Sequence, residues 1–435
     1  MKPRTTHSRR RLIFLNRYFS PDDSASSQMM SGVAFGLAEQ GWSVAVITSR
    51  SQYSNTSINL PAFELVRGVE IHRIWTSRFG RRGTTGRLVD YLTFYAASAL
   101  ALWRLGRSGD IFVAKTDPPM LSVVALPIAR LKQAFLVNWL QDLFPEIAGR
   151  LGLGRGGVGR FAFGRLRALR NTSLLGAQAN VVIGEHMQAY LLGLGVSASK
   201  IRLIPNWADG DLLRPLPHAE NPKRAQWAQD GEILVAYSGN LGRAHDYETI
   251  IEAIALVERG KCDCGEPDFH AARARRISWL FIGGGANYEA LRKDAVARNL
   301  KSVRFEPYQP ADQLAASLSA ADIHLVSLRP ELEGLVVPSK IYGIAAAGRP
   351  TIFIGSLDGE IARLINSSQS GLTISSGDSA ALAEAVATLA HDAELRNALG
   401  ENSRTAFEHS FSLPIALSRW NTLFSGIGSK DVKSN

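Results

Sequence analysis

ELEGLVVPSKIYGIAAAGRP, residues 331–350, is the stretch from which the chain is best read. It opens on two carboxylates, Glu331 and Glu333, followed by Gly334 and the short apolar run Leu335-Val336-Val337. Pro338 stands where proline suits a first helical turn, because its missing N–H would have no intrahelical partner there. Ser339 to Ala347 reads as that helix, and Gly348-Arg349-Pro350 stops it. A strand, Ile323 to Leu328, precedes the stretch, and a buried strand, Thr351 to Ile354, follows it. Acidic side chains thus meet free backbone amides at a helix N-terminus, an end that carries partial positive charge and suits phosphate. Carboxylates beside it would accept hydrogen bonds from hydroxyls. Phosphate and polyol in one place point to a nucleotide-sugar. The plainer alternative is a surface loop before an ordinary α/β helix.

Outward from this stretch, the same strand–turn–helix pattern recurs through two halves. In the first, Arg11 to Leu15 and Val44 to Thr48 read as strands around a helix at Gln28 to Gln40. Val69 to Ile74, Ile111 to Ala114, Phe135 to Leu140 and Ala179 to Ile183 read as further strands, and Leu88 to Leu105 as a long apolar helix. Residues 209–230, rich in proline and polar side chains, read as the interdomain linker. The second half restarts with a strand at Ile233 to Tyr237, a glycine turn and a helix at Tyr247 to Val257. Strands at Trp279 to Ile282 and Val303 to Glu306 follow. Strand–helix–strand units with loops at strand carboxyl ends predict doubly wound parallel sheets.

Length and composition agree. A chain of 435 residues suits two domains, and 46% apolar residues suffice for real cores. A net charge of +10, with pI near 9.7, implies an anionic partner. No nucleic-acid module is recognisable, so nucleic acid is not expected. Cys262 and Cys264 lie one residue apart and cannot staple a fold, which excludes a disulfide framework. His270 lies nearby, but a fourth ligand for a metal site is missing. No run is apolar and long enough to span a bilayer. Two basic segments, 2–11 and 150–170, suit an anionic membrane surface. The second holds six arginines among Phe161, Phe163, Leu166 and Leu169, and no acid.

Several residues carry possible chemistry. Ser238 to His245 is a glycine loop between strand and helix, in which Gly239, Asn240 and Gly242 bring backbone close to an anion and Arg243 can pair with phosphate oxygens. Gly283, Gly284 and Gly285 hold the equivalent place on the next strand. In the first half, Asp142 stands at a strand end and can orient a hydroxyl, act as a base or cap the next element. Asp117 precedes two prolines and reads first as a turn residue. Glu185 and His186 follow a strand directly and can line a cleft. No Gly-x-Ser-x-Gly, His-Glu-x-x-His or Walker lysine loop is present.

The order of these pieces resembles glycosyltransferase family 4, of GT-B architecture, and within it the bacterial enzymes of exopolysaccharide, capsule and O-antigen assembly. The likeness is carried by residues 16–48, WLQDLFPE (139–146), IRLIPNWAD (201–209), YSGNLGRAHDYETIIEAI (237–254), FIGGG (281–285) and VVPSKIYGIAAAGRP (336–350). It implies an α/β fold of two facing Rossmann-like domains with a cleft between them. The domains would be 1–208 on the acceptor side and 209–410 on the nucleotide-sugar side, with 411–435 crossing back near Trp420. Arg243, with His245, would neutralise the diphosphate, and Lys340 would join the donor site. The base would sit near Gly283 to Gly285 and Phe305 to Tyr308. Glu331 or Glu333 would hold sugar hydroxyls, and Gly334, Leu335 and Val336 would offer amides. Asp142 would face the donor sugar, with Asp117, Glu185 and His186 on the acceptor side.

The chemistry implied is retaining transfer from a nucleoside-diphosphate-sugar, UDP-linked in preference to GDP-linked, without metal or other cofactor. The acceptor would be polyprenyl-diphosphate-linked, and the enzyme peripheral on the inner face of the cell membrane. A 2-epimerase of the same architecture and a non-catalytic nucleotide-sugar-binding membrane subunit are the rival readings. Gly343 stands where the family's second glutamate would hold the ribose.

Overall fold

The computed structural model describes residues 9–53, 55–80, 83–154, 156–260 and 276–428. Cys262, Cys264, His270, Lys2, Arg4 and Arg155 therefore lie outside the described residues. The chain divides into two compact units. The first runs to Pro205 and takes in the stretch from Ala416, and the second is Asn206–Ile415.

The first unit is built on eight strands: β1 (Leu12–Leu15), β2 (Val44–Ser49), β3 (Phe63–Val66), β4 (Val69–Ile74), β5 (Ile111–Lys115), β6 (Phe135–Trp139), β7 (Ala179–Val182) and β8 (Ile201–Leu203). Their order is β3-β4-β2-β1-β5-β6-β7-β8. Every pair is parallel except β3–β4, a hairpin edge that the sequence pattern did not announce. The helices are α1 (Ala25–Glu39), α2 (Thr84–Leu105), α3 (Leu121–Lys132), α4 (Glu146–Arg150), α5 (Gly157–Gly176) and α6 (Glu185–Gly193). Right-handed crossovers send α1 to one face of the sheet, because β1 to β2 steps one way along it. They send α2, α3 and α5 to the other face, because β4 to β5 to β6 to β7 steps the opposite way. The central strands are fully buried and apolar except at their carboxyl ends, Thr48-Ser49 in β2 and Lys115 in β5, as suits strands covered on both faces.

The second unit holds β9 (Ile233–Asn240), β10 (Ile277–Gly284), β11 (Val303–Glu306), β12 (Ile323–Ser327), β13 (Thr351–Gly355) and β14 (Gly371–Ser375). All are parallel, in the order β11-β10-β9-β12-β13-β14, so all their carboxyl ends share one edge. Its helices are α7 (Pro222–Trp227), α8 (Glu248–Arg259), α9 (Ala286–Ala297), α10 (Leu314–Ala320), α11 (Lys340–Ala346), α12 (Glu360–Ser368), α13 (Ser379–His391) and α14 (Ala393–Ala406). A last helix, α15 (Leu413–Gly426), returns to the first unit. There Trp420 is fully buried, with its ring 4.7 Å from that of Trp139.

One expectation needs correcting here. Residues 209–230 are not a loose linker. Asn221 caps α7 by accepting from the amides of Lys223 and Arg224, Arg224 pairs with Asp322, and Trp227 is buried. Of the basic segment 2–11, Arg9, Arg10 and Arg11 are among the described residues, and each has a contact within the first unit. Arg10 donates to the Gly109 carbonyl at 3.2 Å and Arg11 pairs with Asp110 at 2.8 Å, while Arg9 lies over the Trp42 ring.

Candidate active site

Two clusters of ionisable side chains stand at strand carboxyl ends, one in each unit. In the second unit the turn after β9 is fastened on several sides. The Leu241 amide donates to the Gly284 carbonyl at 2.7 Å, the Asn287 amide to Leu241 at 2.9 Å, and the Arg329 amide to Ala244 at 2.9 Å. Arg329 also clamps Glu248 with both carboxylate oxygens in reach. The turn is therefore held in place before any ligand arrives, which lowers the ordering cost of binding.

The glycines of this region do not all serve the ligand. A Cβ on Gly283 would sit 2.4 Å from the Gly239 carbonyl oxygen, and one on Gly285 would sit 2.5 Å from that of Leu241. Both have positive φ, 128° and 126°. They are glycine because the two turns pack backbone to backbone, not because an anion needs that space. The exposed Tyr308 ring covers Gly283 and Gly284. Gly239 differs: a Cβ there would meet only the end of Lys340, at 3.9 Å. Asn240 packs its side-chain amide against Gly242 and Gly285.

Lys340 is the centre of this cluster. Its Nζ is buried and has no hydrogen-bond partner. It lies 3.5 Å from the centre of the Tyr237 ring, the one compensation the fold supplies. Burial holds its pKa well below the usual lysine range. His245 stands beside it. Its Nδ1 donates to the Ser327 carbonyl at 2.5 Å, and burial, helped by the Lys340 charge, pushes its pKa down to about 3. The imidazole is therefore neutral and its Nε2 carries a lone pair. Without a ligand, His245 therefore adds no positive charge to that of Arg243. Arg243 itself is exposed and forms no ion pair among the described residues.

The 331–350 stretch also reads differently in three dimensions. Its helix, α11, has only seven residues and no side-chain cap, so an extended helix end is not what it offers an anion. The Leu335 amide, expected to face the donor, donates to the Leu332 carbonyl at 3.0 Å. Gly334 is buried with φ 75°, and Val336 is half-buried. The two glutamates part company. Glu333 accepts from the Glu360 amide at 2.9 Å and so anchors the start of α12, a structural task beside the catalytic one expected of it. Glu331 lies exposed in a 3₁₀ turn with no partner among the described residues. At Gly343 a Cβ would point at methyls of Leu318 and Leu213, an apolar lining with no ribose ligand.

In the first unit, the site builds on β5 and β6. Lys115 ends β5, is 2% exposed, donates to the Ser26 carbonyl at 2.7 Å and lies 4.4 Å from the Trp139 ring centre. Burial pushes its pKa down to about 7, against the pull of Asp117 and Asp142. Asp142, three residues past β6, is pushed up to about 6 by burial. The Thr116 hydroxyl and Lys115 favour its charge, Asp117 opposes it, and its Oδ1 has no hydrogen-bond partner. Asp117 accepts from Ser26 Oγ at 3.2 Å and lines a cavity of about 50 Å³ with Arg17, Tyr18, Tyr53 and Tyr91. Asp90, on the same cavity, is fully buried and pairs with Arg17 at 3.0 Å. Lys115, Arg17 and Tyr237 were not singled out from sequence. The available signal for Lys115 was one lysine ending the apolar strand IFVAK. Glu185 and His186 open α6, the first exposed and the second half-buried.

Comparison with known proteins bears on this pair of sites. Residues 219–406 match the family model of glycosyl transferases group 1, and residues 26–207 match that of the glycosyl transferase 4-like domain. The chain is a glycosyltransferase of the GT-B fold. It is 27% identical over 317 residues to the probable glycosyltransferase WbjE of Pseudomonas aeruginosa, covering 72% of this chain and 74% of that one. It is 25% identical to the putative colanic acid biosynthesis glycosyl transferase WcaI of Escherichia coli K12, over 80% of this chain and 83% of the relative. Its fold is similar to the crystal structure of Anabaena HepE in complex with UDP and glucose, with TM-score 0.69, 16% identity and coverage of 96% and 100%. The glycosyltransferase thus has its group 1 match over the unit that holds Lys340 and its second match over the unit that holds Asp142.

Proposed function

We propose that this glycosyltransferase moves a sugar, with retention at the anomeric carbon, from a nucleoside-diphosphate-sugar to a polyprenyl-diphosphate-linked acceptor in the assembly of a cell-surface polysaccharide. One observation carries the donor side: a buried amino group, Lys340 Nζ, with no acceptor, beside a fastened turn that bears the exposed Arg243. A buried polar donor without an acceptor is costly, and burial favours its neutral form until an anion arrives. A diphosphate supplies the missing acceptors and charge, and charge-assisted bonds of this kind are the strong ones. The exposed Tyr308 ring offers a base a stacking surface, and UDP is favoured over GDP, in line with the similarity to a UDP-bound fold. Glu331 holds sugar hydroxyls. WcaI, by its name, supports the polysaccharide context.

In the reaction the acceptor oxygen bonds to the anomeric carbon on the face from which the diphosphate leaves. The bond from that carbon to the diphosphate oxygen breaks, and its electron pair departs with the diphosphate. Lys340 and Arg243 stabilise the charge that develops there, a preorganised electrostatic effect. The acceptor's proton passes to the departing diphosphate, and Asp142, ionised above about pH 6, orients the acceptor. A thermal-shift screen over UDP-, GDP- and other nucleotide-sugars tests the donor side, because a ligand of the native state raises its melting temperature by mass action. Stabilisation by one nucleotide-sugar that is lost in Lys340→Ala is expected. No shift with any of them would overturn the donor assignment.

A further inference from the structure

The two units treat their surfaces differently. Among the described residues, twenty-two large hydrophobic side chains are exposed, and eighteen of them belong to the first unit. They concentrate on the helical layer of α2, α3 and α5. In α2 the outward stripe is Leu88, Leu92, Ala96, Leu100 and Trp103, all exposed, while the inward positions Asp90, Phe94, Ser98 and Leu102 are buried. This helix therefore presents an apolar stripe to solvent as well as an apolar face to its own core, which a soluble surface helix does not. The stripe runs about 22 Å along the surface at 1.5 Å per residue. In α5, Val158 is 86% and Phe161 65% exposed, and the Arg165 guanidinium lies over the Phe161 ring.

Charge on this layer has one sign. The three helices contain a single carboxylate, Asp90, and it is fully buried against Arg17. Arg87, Arg104, Arg130, Arg160 and Arg165 are exposed. Arg167 and Arg170 are not available, because both pair with Glu146. A dimer formed through this face would be self-complementary and would set arginines against arginines with no carboxylate to pair them. An apolar stripe flanked by arginines alone instead matches an anionic bilayer surface, where the rings and leucines enter the headgroup boundary and the guanidiniums meet phosphate.

We infer that the α2–α3–α5 layer of the first unit is a docking face for anionic lipid, with the α2 stripe lying flat in the interface. This goes beyond the transfer reaction and does not depend on the identity of donor or acceptor. It keeps the α5 part of the basic segment 150–170 expected from sequence and adds α2, which was not part of that reading.

The full chain is tested by sedimentation with vesicles of phosphatidylcholine alone and of phosphatidylcholine mixed with phosphatidylglycerol. Binding to the mixed vesicles only, weakened by salt, is expected. Leu92→Glu with Leu100→Glu, and separately Arg160→Glu with Arg165→Glu, should each cut partitioning by about tenfold or more. Val296→Glu, an equally exposed apolar site of the second unit, should leave it unchanged. In the wild type, phosphatidylglycerol vesicles should blue-shift a fluorescence component that disappears in Trp103→Phe, a readout that needs no charge reversal. Equal binding by all variants, no shift assignable to Trp103, or a dimer in light scattering that the leucine variants dissolve would overturn the inference.

Discussion

Lys115 and Lys340 are the same residue type at the same kind of place, and they do opposite things. Each is a lysine with a buried amino group, near the carboxyl edge of a parallel sheet, against an aromatic ring. Lys115 has a carbonyl to donate to and two carboxylates pulling its pKa back up, so it stays near 7. Lys340 has neither, and burial alone sets its pKa, well below the usual lysine range. The difference teaches how to separate an internal counterion from a ligand site. The first unit has already neutralised its lysine, whereas the second leaves that task to an anion.

Replacement by alanine at 340 should have the largest effect. A loss in kcat/KM of about 100- to 1000-fold is expected, the scale seen when one preorganised donor at a developing charge is removed. The native melting temperature should change little, because no hydrogen-bond or ion-pair partner is left behind and only the contact with the Tyr237 ring is lost. A large fall in melting temperature with intact turnover would reverse the roles given to the two lysines. Binding should also take up a proton. The free Lys340 pKa lies well below its ordinary value, and a diphosphate beside it raises it, so affinity should fall as pH rises. Calorimetry in buffers of different ionisation enthalpy should show this uptake, and show it vanish in Lys340→Arg.

Next in size is Lys115→Met, which should be a stability change. It leaves Asp142 and Asp117 without their cation, at a cost of about 3 kcal/mol, measured by urea unfolding. It should also move the acid limb of the rate profile, set near pH 6 by Asp142, to higher pH, since removing a neighbouring positive charge raises a carboxylate's pKa. An unmoved limb would show that Asp142 does not limit the rate.

A smaller effect is expected from Gly283→Ala. The added Cβ overlaps the Gly239 carbonyl and φ is positive, so about 1–3 kcal/mol of stability should be lost, together with nucleotide affinity, as the turn beside Lys340 shifts. Smallest is the glutamate pair. Glu333→Gln should cost about 1 kcal/mol in unfolding with turnover retained, while Glu331→Gln should lower turnover and leave unfolding unchanged. The opposite pattern would return the catalytic role to Glu333.

How much of this was written in the sequence depends on whether the cause is local. The central strands were legible because a strand covered on both faces is an unbroken apolar run, as in LIFL and ILVAY. The β3–β4 hairpin was not, because Phe63 and Leu65 face solvent at a sheet edge and the alternation carries no strong signal. Lys340 could be placed in the donor site by resemblance, but its isolation could not be read, since that is a fact about what fails to surround it. Glu331 and Glu333 are two residues apart and chemically alike. They are told apart by an amide at 360, which comes to Glu333 only when α12 packs. The glycines at 283 and 285 were visible as a turn, but the backbone that fills their Cβ space comes from another strand's turn. The direction of the apolar stripe on α2 is likewise a tertiary fact.

The return of α15 has a consequence for biosynthesis. Leu417 packs its methyls where a side chain on Gly36 would be, Trp42 donates to Asn421 at 2.9 Å, and Trp420 and Phe424 close over Trp139 and Phe14. These residues are translated only after the whole of the second unit. The first unit therefore leaves the ribosome with one wall of its core open, and the second unit can finish folding before it. A nascent chain stalled short of residue 416 should hold a protease-sensitive first half and a resistant second half, the reverse of the order in which they are made.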